Sequence, residues 1–233
     1  MFGYYYGFDM SYLVLVLPAM LLALWAQMRV SSTFGRYSQV RSVRGLTGAQ
    51  AARYILDRNG LQHVRIEQIS GNLTDHFDPR TNVVRLSQSV YNVPSIAAVG
   101  VAAHECGHAV QYAVGYGPMK LRAAIIPATN FGSKLAFPLI LIGLLMNSSS
   151  LLLAGILLFS LTAVFQLVTL PVEFNASSRA LQTLDQQGLL TREELGGTKK
   201  VLSAAALTYV AALIVSLAQL LRLLLIFGRR RDN

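Results

Sequence analysis

The stretch AAHECGHAVQY, residues 102–112, sets two histidines four positions apart in an otherwise small and mostly apolar run. The residues before it, PSIAAVGV, continue the same pattern, so one buried helix opened by Pro94 and Ser95 is predicted. On a helix, positions i and i+4 differ by about 40°, so His104 and His108 project from one face. Glu105 lies about 100° further round and Cys106 about 200°. Both imidazoles can then reach a single zinc ion at about 2.0–2.1 Å, with Glu105 set to touch a metal-bound water rather than the metal. That is the geometry wanted of a general base. Cys106 points away and reads as a small buried helix residue.

A hydrolytic zinc takes three protein ligands and keeps one position open for water. The chain has four histidines, and the other two, His63 and His76, lie upstream. A third histidine six residues beyond the pair is absent, because position 114 is Val114. The carboxylates downstream are Glu173, Asp185, Glu193, Glu194 and Asp232. Glu193 and Glu194 sit in TREEL, which reads as a threonine-capped, solvated helix start. Glu173 directly follows an apolar run, and the two apolar runs before it return the chain to the side of the histidines. It is the candidate third ligand, the ordinary alternative being an interfacial carboxylate that closes a membrane span.

Composition supports a membrane setting. Charged residues are 13% of the chain and apolar ones 53%, with a formal charge of +9. The basic residues mostly flank apolar runs and carry no nucleic-acid motif, so the charge reads as topology and not as nucleic-acid binding. A single cysteine excludes an internal disulfide framework. The stretch from Met10 to Met28 is long enough to cross a hydrocarbon core of about 30 Å, and no cleavage site follows it. Arg29, Arg36, Arg41 and Arg44 come next and argue for a cytoplasmic side. Further apolar runs cover Leu135–Met146, Leu151–Leu170 and about Ala204–Phe227, the first two separated by NSSS and forming a hairpin.

The expected fold is mainly α, a polytopic membrane protein with about four transmembrane helices and a small α+β zincin-like catalytic region. It divides into an N-terminal transmembrane anchor (1–28), a water-facing catalytic region (29–123), a transmembrane hairpin (124–172), a loop or helix with the third ligand (173–203), and a last transmembrane helix with a basic tail (204–233). Within the water-facing region Thr47 is expected to cap a helix through Arg58, with Gly60 past its end. VRIEQI (64–69) and NVVRLS (82–87) read as strands, and GNLTDHFDPRT between them as turn chemistry in which Asp75 and Asp78 act as caps and His76 bonds locally. Residues 171–200 read as a water-exposed loop. With the N-terminus outside, an even number of spans leaves the RRR tail outside too, against the positive-inside rule; a last helix that turns back near Arg222 is one way out.

Together, AAHECGHAVQ, LPVEFNASSRAL and DHFDPRTNVVRLS resemble the neutral zinc metallopeptidases of bacterial membranes (YugP-like) over nearly the whole chain. A more distant similarity runs to the HtpX and CAAX-prenyl endopeptidases, which pair HExxH with ExxAD. The resemblance implies His104, His108 and Glu173 as ligands of one Zn2+ and Glu105 as base. It departs from the ExxAD pattern at Ser177, where aspartate would orient a ligand histidine; a serine there offers only a neutral hydrogen bond.

The expected activity is therefore that of a membrane-bound zinc endopeptidase acting on membrane or unfolded proteins, in the cell membrane with its site facing the cytoplasm. NVVRLS is the strand expected to pair with extended substrate. The alternative is a metal-stabilised membrane scaffold with little proteolysis. The partners expected are a protein or peptide substrate and the lipid bilayer, not nucleic acid. A homo-oligomer or a regulatory membrane partner stays open.

Overall fold

The computed structural model describes residues 10–231, which form six α-helices and one three-stranded sheet. The helices are α1 (Leu17–Ser38, entered through a π-helical stretch Tyr12–Val16), α2 (Gly48–Arg58), α3 (Ile96–Ala113), α4 (Gly117–Leu145), α5 (Ser149–Gln186) and α6 (Arg192–Arg231). The strands are β1 (Arg65–Ile69), β2 (His76–Asp78) and β3 (Val83–Ser87). Four helical segments among these residues are long and apolar enough to cross a membrane: Tyr12–Ser38, Gly117–Leu145, Ser149–Gln186 and Arg192–Gly228. The protein is mainly α, with a small α+β region, as expected.

The chain divides into two compact units. One takes the residues up to Ala26, then Leu121–Leu170, and those from Thr208 onward. Its hairpin of α4 and α5 is drawn tight by glycine: a β-carbon on Gly143 would lie 2.6 Å from the Leu152 backbone nitrogen, and one on Gly155 2.9 Å from that of Ile140. Ile140, Leu152, Ile156 and Leu223 form a small apolar core, while Phe137, Leu145, Met146 and Leu157 face outward. An apolar exterior around a thin core is what a bilayer-facing bundle presents. The last helix does not turn back at Arg222. α6 runs unbroken to Arg231, and the Arg222 guanidinium sits 5.3 Å from the centre of the Tyr12 ring.

The second unit is Gln27–Lys120 with Pro171–Leu207. Its larger core joins Ile55 and Leu56 of α2, Val84 and Leu86 of β3, Ala98, Ala102 and Cys106 of α3, and Leu184 and Leu202. Thr47 caps α2 in a reciprocal capping box with Gln50, and Gly60 follows its end at φ +73°. Cys106 is buried with Sγ 3.6 Å from the Ala52 carbonyl oxygen, and burial pushes its thiol pKa up.

Residues 171–200 correct the expectation of a loop: α5 continues to Gln186 and α6 starts at Arg192. Val172, Ala176, Ala180 and Leu184, spaced by four, form one fully buried stripe that holds this stretch helical. Of the two glutamates in TREEL, Glu193 is exposed as expected but Glu194 is buried. Glu194 accepts from the backbone N–H of Val43 at 2.6 Å and of Thr191 at 2.7 Å, closing the cap that Thr191 opens.

In the sheet, β3 is the central strand, parallel to β1 and antiparallel to β2. NVVRLS, expected to offer an edge to substrate, is therefore paired on both sides. Both outer strands leave an open edge, and the one packed against α3 is β2, a strand hidden in what reads as turn sequence because its three residues sit among turn formers. Asp78 accepts from Arg80 N, Thr81 Oγ1 and Arg85 Nη1 and caps its turn as expected, whereas Asp75 accepts from Ser87 N and Oγ and ties this segment to the end of β3 instead of capping a turn. His76 lies exposed with Nδ1 3.0 Å from the Thr74 carbonyl oxygen, a local contact.

Candidate metal centre

α3 starts at Ser95, whose Oγ accepts from Ala98 N at 3.1 Å. Two glycines on this helix then let its neighbours come close. A β-carbon on Gly107 would lie 2.7 Å from the Ala176 carbonyl oxygen of α5, and one on Gly100 2.5 Å from Thr198 Cγ2 of α6. Backbone contact at Gly107 brings the ligand face of α3 against residues 172–180 of α5.

That approach unites the predicted residues. His104, His108 and Glu173 bring ligand atoms within 4.8 Å of one another. Glu173 Oε2 lies 3.3 Å from His104 Nε2 and 3.6 Å from His108 Nε2. The two imidazoles are edge-on, their centres 4.7 Å apart and their planes at 84°. His108 and Glu173 are buried and His104 nearly so. His63 and His76 are exposed and stand outside the group.

The donor set fits zinc. Two imidazole nitrogens and one carboxylate oxygen are the ligands that hydrolytic zinc takes, with room left for water. Both rings turn Nε2 inward because their outer nitrogens are engaged. Ser177 Oγ lies 3.1 Å from His104 Nδ1, and Gln111 Oε1 lies 2.9 Å from His108 Nδ1. The orienting contact expected of Ser177 is thus present, and its neutral character stands.

Gln111 escaped the sequence reading. It is fully buried, and its amine donates to the Val172 carbonyl at 2.8 Å and to Asn175 Oδ1 at 3.0 Å. The signal was available: a carboxamide three residues after the second histidine, inside an otherwise apolar helix, needs buried partners.

Glu105 is 8% exposed. Burial pushes its carboxyl pKa up; the neighbouring His104 and His108 oppose the shift and the charge of Glu173 adds to it. A raised carboxyl beside a metal centre is suited to taking up a proton and giving it back. At the end of the ligand face, Tyr112 packs on Phe77 of β2, ring centres 5.9 Å apart.

Comparison with known proteins agrees with this geometry. Residues 12–228 match the family described as "Putative neutral zinc metallopeptidase". The chain is 52% identical over 224 residues to "Putative membrane protease YugP" of Bacillus subtilis (strain 168), covering 96% of this chain and 100% of that protein. No solved structure matches. A full-length relative, a family match over nearly all the chain and two histidines meeting a buried glutamate point the same way: this chain belongs to the neutral zinc metallopeptidase family.

Proposed function

We propose that the protein is a membrane-bound, zinc-dependent endopeptidase with one metal per chain, held by His104, His108 and Glu173. The convergence of these three side chains beside Glu105 carries the reading. Zinc bound there would act as a Lewis acid on the scissile carbonyl and lower the pKa of a water molecule. Glu105 takes the water's proton and delivers it to the amide nitrogen as that nitrogen leaves. Ser177 orients His104 through its hydroxyl.

The substrate is a protein or peptide in extended form. Strand β2 offers the unpaired edge next to α3, and the Phe77–Tyr112 pair supplies apolar surface beside it. Glu173 closely follows the apolar part of α5, which favours membrane proteins or unfolded segments near the bilayer surface. Arg29 and Arg36 in the last part of α1, with Arg41 and Arg44 just after it, support a cell-membrane protein whose water-facing unit lies in the cytoplasm.

The test is cleavage of an unfolded, fluorescently labelled protein by the detergent-purified full chain. Cleavage that stops on chelation and returns with zinc is expected. Zinc-loaded protein that leaves the substrate intact would favour the scaffold instead.

A further inference from the structure

Around His108 the hydrogen bonds have only one consistent direction. The Val172 carbonyl can only accept, so the Gln111 group facing it at 2.8 Å must be the amine. The same amine meets Asn175 Oδ1 at 3.0 Å. Asn175 is oriented in turn by Arg179, whose Nε donates to Oδ1 at 2.8 Å and which has no acceptor to offer. The Gln111 carbonyl oxygen is thereby left facing His108 Nδ1 at 2.9 Å. An oxygen there requires a proton on Nδ1, which in the neutral ring leaves the Nε2 lone pair turned toward Glu173.

We propose that Gln111 is a positioning residue that locks His108 in its metal-ready tautomer, and that Asn175 and Arg179 lock Gln111. The chain Arg179–Asn175–Gln111–His108 uses both donors and the carbonyl of the fully buried Gln111, so a turned amide would put its oxygen against two acceptors. It also ties α3 to the backbone of Val172, the residue before Glu173, so one side chain sets the position of two ligands. The arrangement differs from that at His104, where the Ser177 hydroxyl can donate or accept and imposes no tautomer. The relay's role toward zinc rests on the metal-site reading above; the tautomer does not.

The test uses full-length protein carrying 15N-labelled histidine in a His63→Gln, His76→Gln background, so that two imidazoles remain. In metal-free protein, at a pH where both rings are neutral, His108 is expected to show a protonated Nδ1 and a bare Nε2. Gln111→Met, close in size but without these hydrogen bonds, should let the second tautomer appear at His108 with His104 unchanged. It should also weaken zinc binding, read by competition with a chelator, by about 10–100-fold. A His108 that keeps its single tautomer in Gln111→Met, with unchanged zinc affinity, overturns the proposal. Should Gln111→Met disturb His104 as well, Asn175→Ala decides: a second His108 tautomer is expected, and a spectrum identical to wild type overturns the relay. Wild type with the predicted tautomer and no affinity for zinc would sink the metal-site reading and leave the relay standing.

Discussion

Gly107 on α3 lies so close to Ala176 on α5 that a β-carbon at position 107 would sit 2.7 Å from the Ala176 carbonyl oxygen. His108 follows that glycine directly, and Ser177 follows that alanine. The spacing of the two helices is therefore the spacing of the proposed metal ligands. Backbone, not a flexible side chain, would have to move to admit a methyl group. Gly107→Ala is expected to cost about 1–3 kcal/mol and to release zinc more readily than wild type. Thermal unfolding and metal content check it; an unchanged Tm with full zinc would show that the contact is not needed.

Glu194 supports the fold away from the metal. Its carboxylate accepts from Val43 and Thr191, tying the loop after α1 to the start of α6. Glu194→Ala strands these N–H groups and should destabilise the water-facing unit by about 1–3 kcal/mol, with Glu194→Gln recovering part of the loss. Zinc content of the folded fraction should not change. Equilibrium unfolding of the three proteins in detergent tests this.

The turn between β2 and β3 is sensitive to acid. Hydrogen bonds from Arg85, Thr81 and Arg80 hold the Asp78 carboxyl well below the usual aspartate range. A depressed folded pKa gives stability that is present above the unfolded value, about 3.9, and is lost as pH falls through the folded one. Asp78 lies near the surface, so the effect is local. Hydrogen-exchange protection at Val83–Arg85, corrected for intrinsic rates, should drop in acid in wild type. In Asp78→Asn it should be low at every pH, and a wild-type profile there would contradict the assignment.

The candidate metal cluster was legible because its residues sit in fixed registers. His104 and His108 share a helix face by spacing alone, and Glu173 stood out among five downstream carboxylates because it directly follows an apolar run. The four apolar helices were legible from length and hydropathy. Residues 171–200 were not, because the buried stripe Val172, Ala176, Ala180 and Leu184 contains two alanines and lies among polar residues. Strand order was hidden as well: a short run such as NVVRLS reads as a strand whether it is central or at an edge, and β2 is too short to show a period. Gln111 was missed because its place in a buried helix signals only that it needs partners, and those partners lie 61 and 64 residues away in α5.

The central claim is that three side chains hold zinc while Glu105 moves the proton, and Glu105→Gln separates these roles. Zinc content and cleavage of an unfolded labelled protein are to be measured side by side on wild type and variant. The account predicts one zinc per chain in both, with cleavage reduced about 10²–10⁴-fold in the variant. A variant that keeps its zinc and cuts as fast as wild type would contradict it.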